Sequence, residues 1–174
     1  WTVIDANDDH YTWARETTLA AAKYYANEDY ETSADDWLIS SPIALNAGVQ
    51  YRLRFNAKSY DESYPEHVAV YLGQGKTVEA MTTKLGDFKV ATYDMQQYEV
   101  TFPAIAADGN YNIGFYCHSQ APDGYILYVT DVELTAVTNG VLKGTVTDGT
   151  NPIGNAVVYI ESLKISSITE ADGS

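Results

Sequence analysis

The stretch "VQYRLRFNAKS" (residues 49–59) alternates apolar and polar side chains over most of its length. Tyr51, Leu53, Phe55 and Ala57 would share one face of an extended chain. A period of two is the signature of a β-strand that is buried on one face only. We therefore predict a strand here, and the same periodicity, followed outward along the chain, predicts the class of the fold.

Four other stretches repeat this periodicity, and short runs rich in Gly, Asn, Asp and Pro separate them. They are "EHVAVYLG" (66–73), "QYEVTF" (97–102), "NYNIGFYC" (110–117) and "DGYILYVTDVELTAV" (123–137). In the last stretch Ile126, Tyr128, Val132 and Leu134 are the regularly spaced apolar residues. Many short strands joined by turns predict an all-β protein, an antiparallel sandwich or barrel.

The amino-acid composition argues against two classes of binding partner. Ten Lys and Arg against 24 Asp and Glu give a net charge of −14, which argues against nucleic acid and anionic membranes, because those surfaces are bound by neutralising phosphates. No apolar run reaches the roughly 20 residues that cross a bilayer, and a single cysteine, Cys117, allows no intrachain disulfide. We expect part of a larger exported protein, secreted or displayed on a bacterial cell surface, without membrane insertion.

A change in composition at "TNG" (138–140) divides the chain. We predict a first domain over residues 1–137, a linker at 138–140 and a second β domain over 141–174. The last segment is too short to bury a core by itself. We therefore expect it to be the first part of a second β-sandwich.

The stretch "DANDDHYTW" (5–13) crowds acidic and amide side chains into one loop. Asp5, Asn7 and Asp9 alternate, so a tightly curled loop can direct their oxygens to one point, and Ca²⁺ takes roughly six to eight oxygen ligands. A solvated acidic turn, or a cap for a following helix, is the alternative. The helix–loop–helix type of calcium loop is a poor match, because His10 stands where that loop needs Gly and the preceding "WTVI" is strand-like.

Several motifs, in the same order, resemble one family. The opening "WTVIDANDDHYTW" is similar to the W-x-x-x-D-x-D-x-D-x-x-x-W start of the cleaved-adhesin domains, haemagglutinin/adhesin modules of gingipain-type proteases in Bacteroidetes. "DDWLISSPIAL" (35–45) resembles the family's [DN]-x-W/Y-L-[IV]-[ST]-P-x-[IL]-x-L strand. "YRLRFNAKS" and "YPEHVAVYLG" resemble its strand pair, and "YNIGFYCHS" with "YILYVTDVEL" its closing strands. The resemblance covers about residues 1–136.

This resemblance implies a jelly-roll β-sandwich of the galactose-binding-like type, with structural Ca²⁺ held at the loop between its first strands. Asp5, Asn7 and Asp9 fall on the family's acidic loop, with Asn in the middle place. The closing strand of such sandwiches supplies a further ligand from an Asp-Asp pair, which here reads Thr130-Asp131. Asp131 is therefore the fourth metal ligand that the resemblance implies.

For the segment "ARETTLAAAKYYA" (14–26), helix propensity and the resemblance to the cleaved-adhesin family predict different structures. Its alanines and other good helix formers favour a helix on propensity alone. The equivalent family segment is a strand that leads toward the W-L-[IV] motif, and tertiary context outweighs propensity. We therefore predict a strand over about residues 18–26.

The tail has a resemblance of its own. "LKGTVTDGTNPIGNAVVYI" (142–160) and "ITEADGS" (168–174) are similar to the start of a carboxypeptidase-regulatory-like domain. That resemblance implies a transthyretin-like sandwich that serves as a spacer or interaction module and has no catalytic residues of its own.

The sequence carries no pattern typical of catalysis. The histidines do not form an H-E-x-x-H motif, and G-x-S-x-G does not occur. Cys117 alternates with Phe115 and is expected to be buried and inert. Asp35 and Asp36 are adjacent on an extended segment, so their carboxylates point to opposite faces and cannot act as a glycosidase pair. We expect no enzymatic activity.

Tyrosine dominates the aromatic residues, with 15 Tyr against four Phe. Five aromatic residues in or beside predicted loops could stack on a sugar ring: Tyr60, Tyr64, Tyr116, His118 and Tyr125. We hypothesise a non-catalytic, calcium-stabilised adhesin-type module that recognises a glycan or a host extracellular protein. The alternatives are a structural spacer between other domains of the same polypeptide, or an accessory domain of a secreted peptidase or glycosidase.

Overall fold

A computed structural model describes residues 1–26, 32–137, 143–160 and 165–174, and the regular elements in those ranges are all β-strands. The chain divides into two compact units, Trp1–Val137 and Thr138–Ser174. The linker that we predict at 138–140 lies outside the described residues. In the described ranges, no helix has the length and apolar character needed to span a membrane.

The strands of the first unit form two antiparallel sheets. They are β1 (Thr2–Asp5), β2 (Trp13–Glu16), β3 (Ala21–Tyr25), β4 (Asp36–Ile39), β5 (Ile43–Leu45), β6 (Gln50–Ser59), β7 (Glu66–Gly73), β8 (Thr83–Val90), β9 (Gln96–Thr101), β10 (Gly109–Cys117) and β11 (Ile126–Val137). The first sheet has the order β1–β4–β10–β7–β8, with β5 also paired to β10, and the second has the order β2–β3–β11–β6–β9. The predicted all-β jelly-roll sandwich is confirmed.

The alternation in β6 places its apolar residues in the core between the sheets. Leu53, Phe55 and Ala57 are completely buried, and Tyr51 is nearly so. The ring of Phe55 meets the ring of Phe115 from β10, with 5.1 Å between the ring centroids. Burial of one such aromatic side chain stabilises the fold by about 1.5–3 kcal/mol.

The Ala-rich segment contains a strand, as predicted against its helix propensity. β3 occupies Ala21–Tyr25 between β2 and β11, and residues 17–20 form the turn that leads into it. Tyr24 is buried and packs on Trp13, with 5.9 Å between the ring centroids. Ladder hydrogen bonds on both edges and this core contact outweigh the small propensity differences that favour a helix.

In the long strand β11 the regularly spaced apolar residues Ile126, Tyr128, Val132 and Leu134 do not share one buried face. Leu127 and Val129 are buried in the core, which turns Tyr128 outward. The pairing of β11 with β6 then shifts between Thr130 and Glu133. A β-bulge adds an unpaired residue and changes the face on which later side chains lie.

The second unit is described over residues 143–160 and 165–174. It contains β12 (Val157–Ile160) and β13 (Ile165–Ile168), which pair antiparallel, and a bridge between Thr147 and Pro152. Val157, Tyr159 and Ile168 are more than half exposed. The likeness of this segment to a carboxypeptidase-regulatory-like domain stays a prediction.

Candidate ligand-binding surface and acidic loop

The acidic loop, residues 5–12, is held in a tight curl by its own carboxylates. Asp5 accepts hydrogen bonds from two backbone N–H groups of the loop, at Oδ1 from Asp9 (3.3 Å) and at Oδ2 from His10 (2.9 Å). Asp9 in turn accepts the backbone N–H of Tyr11 (2.9 Å). These donors offset part of the repulsion among the acidic side chains, because a carboxylate is stabilised by N–H groups directed at it.

Two residues of the acidic loop adopt the left-handed backbone conformation. Asp8 has a φ of 57° and His10 a φ of 70°, a region that favours glycine but that Asp and His also visit. His10 therefore makes the sharp turn for which the sequence offers no Gly. The loop joins strand β1 to strand β2, so it is not a calcium loop of the helix–loop–helix type.

The acidic loop brings together a set of possible metal ligands that differs from the predicted one. Ligand atoms of Asp5, Asp8 and His10 all lie within 4.8 Å of one another. Asn7 directs its amide nitrogen to Asp9 Oδ2 (3.1 Å) and to the backbone oxygen of Ser33 (3.0 Å). The Asp5 and Asp8 carboxylates suit Ca²⁺, whereas an imidazole nitrogen suits a transition metal. The donor set fits a divalent cation.

Asp131 does not join the acidic loop. It lies in the β11 bulge with a φ of 50°, and its Oδ2 accepts a hydrogen bond from Asn56 Nδ2 (2.9 Å). The loop enters β2 at Trp13, level with Leu127 of β11, so Asp131 is about 13 Å further along the strand. It lines a largely apolar cavity of about 520 Å³, together with Trp1 and other residues.

The carboxylate of Asp36 lies beside the acidic loop, and this residue is completely buried. Asp36 is the cross-strand partner of Asp5, and its backbone oxygen accepts a hydrogen bond from Trp13 Nε1 (3.2 Å). Burial raises the pKa of Asp36 to about 7; the Thr12 hydroxyl opposes this rise, and repulsion from Asp5 and Asp9 adds to it. Its neighbour Asp35 is only partly buried.

A cluster of five tyrosines, the tyrosine cluster, adjoins the acidic loop. Its members are Tyr11, Tyr25, Tyr60, Tyr64 and Tyr125, the first of which belongs to the loop itself. The Tyr125 ring lies at the centre, 5.5 Å from Tyr25, 5.0 Å from Tyr60 and 6.1 Å from Tyr64 between ring centroids. The rings of Tyr11 and Tyr25 are 6.2 Å apart. Three of the five predicted ligand-binding residues therefore meet at one place.

A buried network holds the loop that carries Tyr125. Glu66, at the start of β7, is completely buried and accepts hydrogen bonds from the backbone N–H of Tyr125 and from Ser119 Oγ. Burial raises the pKa of Glu66, and these two hydrogen bonds oppose the rise. The thiol of Cys117 lies 3.9 Å from the same carboxylate and is completely buried, as expected.

Next to the tyrosine cluster, the outer face of the second sheet carries tyrosine and lysine side chains. We call the set Lys23, Tyr25, Lys58, Tyr93 and Tyr128 the tyrosine–lysine face. The Lys58 ammonium lies 4.6 Å from the Tyr93 ring centroid and 5.3 Å from that of Tyr128, and the Lys23 ammonium lies 5.2 Å from that of Tyr25. Tyr60 and Tyr125 are among the neighbours that raise the pKa of Tyr128, after burial and Glu16, so the two sets are continuous.

The other two predicted ligand residues, Tyr116 and His118, lie elsewhere. Tyr116 stacks on Trp37 with 4.4 Å between the ring centroids, and His118 stacks on Tyr116 at 5.3 Å. His118 Nε2 also lies 3.0 Å from Asp87 Oδ1 on β8. Among the described residues, no ring contact joins these aromatic residues to the tyrosine cluster. The structure therefore divides the five predicted residues between two surfaces.

Comparison with known proteins gives no match to any family model and no match to any curated protein. Solved structures do match. The K1 cleaved adhesin domain of Lys-gingipain from Porphyromonas gingivalis W83 superposes with a TM-score of 0.62 at 22% identity, covering 79% of this chain and 91% of that domain. The K3 domain of the same protein gives 0.60 at 20% identity, covering 77% and 88%.

A cellulose-binding domain shows the same fold at lower similarity. The N-terminal cellulose-binding domain of a β-1,4-glucanase from Cellulomonas fimi matches with a TM-score of 0.50 at 19% identity, covering 68% of this chain and 80% of that domain. At such identities the likeness concerns the fold. The chain therefore has the jelly-roll fold of the cleaved adhesin domains, as its sequence motifs predict.

Proposed function

We propose that the first unit is a non-catalytic binding module of an exported bacterial protein and that it recognises a glycan through the tyrosine cluster. The observation that carries this proposal is the cluster of five tyrosine rings at one end of the sandwich, with the Tyr125 ring at its centre. A tyrosine ring offers a flat apolar face for a sugar ring and a hydroxyl for its polar groups. The adhesin and cellulose-binding modules of the same fold support binding as the activity.

We also propose a structural Ca²⁺ ion at the acidic loop. The carboxylates of Asp5 and Asp8 would hold it, with His10 beside them. Tyr11 connects this loop to the cluster through its ring contact with Tyr25. Ordering the loop would therefore position one edge of the tyrosine cluster, and the ion would need no contact with the sugar.

The test is binding of the full chain to a panel of immobilised glycans and extracellular-matrix proteins. Tyr60 is half exposed, so Y60A removes a ring of the cluster with little effect on the core. We expect Y60A to weaken glycan binding about 3- to 10-fold, since an aromatic contact contributes about 0.5–1.5 kcal/mol. Y159A is the matched control, because Tyr159 is an equally exposed tyrosine of the second unit.

Two results would contradict the proposal. If Y60A and Y159A bind the glycan as tightly as the unmodified chain, the sugar is bound elsewhere. If the chain binds no member of either panel, the role of structural spacer takes its place. Circular dichroism and thermal melting of each variant separate lost contacts from lost folding.

A further inference from the structure

Lysine is scarce on this acidic chain, and two of its lysines contact tyrosine rings instead of carboxylates. The ion pairs among the described residues join Arg52 and Arg54 to Glu99, and Lys84 and His118 to Asp87. Lys23 and Lys58 take part in none of them. Both instead place their ammonium groups over rings of the tyrosine–lysine face.

The strand register sets these two lysines on either side of one tyrosine. Tyr128 of β11 is directly opposite Lys23 of β3 and directly opposite Lys58 of β6. Directly paired residues point to the same side of a sheet, and neighbouring strands are about 4.8 Å apart. The two lysines therefore stand about 10 Å apart with the Tyr128 ring between them, on the outward face.

The carboxylates near Lys23, Tyr128 and Lys58 leave the two lysines able to pair with an anionic ligand. Glu16 is close enough to Lys23 for that charge to lower the pKa of Glu16, but its largest pKa-lowering contact is the backbone N–H of Thr18. Asp131 is engaged by Asn56. The net charge of −14 repels an anion from the chain as a whole, so an anionic ligand needs local cations of this kind.

We propose that the tyrosine–lysine face binds an acidic sugar, one that carries a carboxylate or a sulfate group. The sugar ring stacks on an outward tyrosine, Tyr128 or the exposed Tyr93, and its anionic group pairs with Lys58, with Lys23 on the far side of Tyr128. The inference rests on the proposed function, because it names the class of glycan that the adjoining tyrosines would take.

The experiment compares sugars that differ only in charge. The full chain is titrated calorimetrically with oligogalacturonate and with its methyl ester, and separately with a sulfated oligosaccharide and its desulfated form. We expect at least one acidic form to bind about 2- to 5-fold more tightly than its neutral counterpart, as an ion pair on an exposed surface would give. Raising the salt concentration should reduce that preference. The two pairs distinguish a carboxylated from a sulfated ligand.

Three lysine variants complete the experiment. K58Q and K23Q should bind the acidic and the neutral form with nearly equal affinity, so that the preference for the acidic form is lost. K89Q replaces an exposed lysine on β8 of the other sheet and should retain the preference for the acidic form. The inference fails alone if neutral sugars bind as tightly as acidic ones, or if K58Q and K23Q both keep the preference. It fails together with the proposed function if no sugar of either pair and no panel glycan binds.

Discussion

Glu66 and Tyr125 are 59 residues apart in the chain, yet the buried carboxylate of Glu66 accepts the backbone N–H of Tyr125. The same carboxylate accepts the Ser119 hydroxyl (2.5 Å). A Cβ atom at Gly124, which has a φ of 87°, would lie 2.8 Å from the Ser119 Cβ and 3.0 Å from Glu66 Oε2. The loop between β10 and β11 is therefore fixed from inside, and the central ring of the tyrosine cluster is positioned by a residue that no ligand can reach.

Replacing Glu66 should destabilise the protein, although the groups that donate hydrogen bonds to its carboxylate are uncharged. In E66Q one of the two donors faces an NH₂ group, and we expect a loss of about 1–3 kcal/mol in the free energy of unfolding, the cost of one unsatisfied buried donor. E66A leaves both donors unpaired and should lose more. Urea denaturation measures both values. E62Q, at an exposed position just before β7, should be close to neutral, and equal losses for E62Q and E66Q would contradict the assignment.

Asp36 should make the protein less stable as the pH rises. Its folded pKa of about 7 lies above the ordinary value of 3.8, so the folded state holds the proton more tightly and stability falls as the pH rises from about 4 to 7. The shift corresponds to at most about 4 kcal/mol. We expect D36N to raise the free energy of unfolding at pH 7.5 by about 1–3 kcal/mol and to flatten this part of the pH profile.

The Asp36 measurement belongs in excess EDTA, because a bound cation would favour the charged carboxylate. The pKa of Glu66 is also raised, so Glu66 too makes the stability fall as the pH rises. D36N therefore removes only part of the pH dependence of stability. D94N is the matched control, since Asp94 is exposed. A pH profile of D36N that parallels that of the unmodified chain would refute the role of Asp36.

Calcium should raise the melting temperature through Asp5 and Asp8. At about 100 times the dissociation constant, a bound ion adds roughly 2.7 kcal/mol, which for this length is about 5–10 °C. We expect D8N to abolish this rise and N7A to retain it. The reverse result would restore the triplet that the sequence suggests, Asp5, Asn7 and Asp9. If the melting temperature is unchanged in excess EDTA and elemental analysis finds no metal, the protein has no structural ion.

The β11 bulge makes position 131 sensitive to side-chain shape. Asp131 has a φ of 50°, which a β-branched residue adopts only with strain of about 1–3 kcal/mol. D131V should therefore be less stable than D131G by about that amount, although both lose the hydrogen bond from Asn56. Equal denaturation midpoints would mean that the bulge relaxes. D131G should also keep the calcium response, because Asp131 lies away from the acidic loop.

Much of the fold could be predicted because its signal is local. The alternation around Phe55 identifies β6 and its buried face without any knowledge of its neighbours. The strand at Ala21–Tyr25 required the family resemblance, since its own residues favour a helix. The face of β11 could not be predicted, because the bulge after Thr130 depends on pairing with β6.

The candidate site could be predicted only in part, for the same reason. Tyr60, Tyr64 and Tyr125 stand in loops and could be recognised one by one, but their contact depends on how distant segments pack. Lys23 and Lys58 lie inside strands, so nothing in the local sequence distinguishes them from ordinary outward lysines. In the acidic loop, spacing favoured alternate residues, whereas the positive φ of Asp8 and His10 turned a different set together.

The five rings of the tyrosine cluster come from four separate parts of the chain: the β1–β2 loop, β3, the β6–β7 loop with both Tyr60 and Tyr64, and the β10–β11 loop. Such a surface is complete only when all four segments have packed together, and no single hairpin carries it. Affinity for a sugar would then report completed assembly, and a sugar-coated column would retain folded molecules while misfolded or clipped ones pass through. A ligand of this surface would also slow unfolding, since every segment it touches must separate before the sandwich can open.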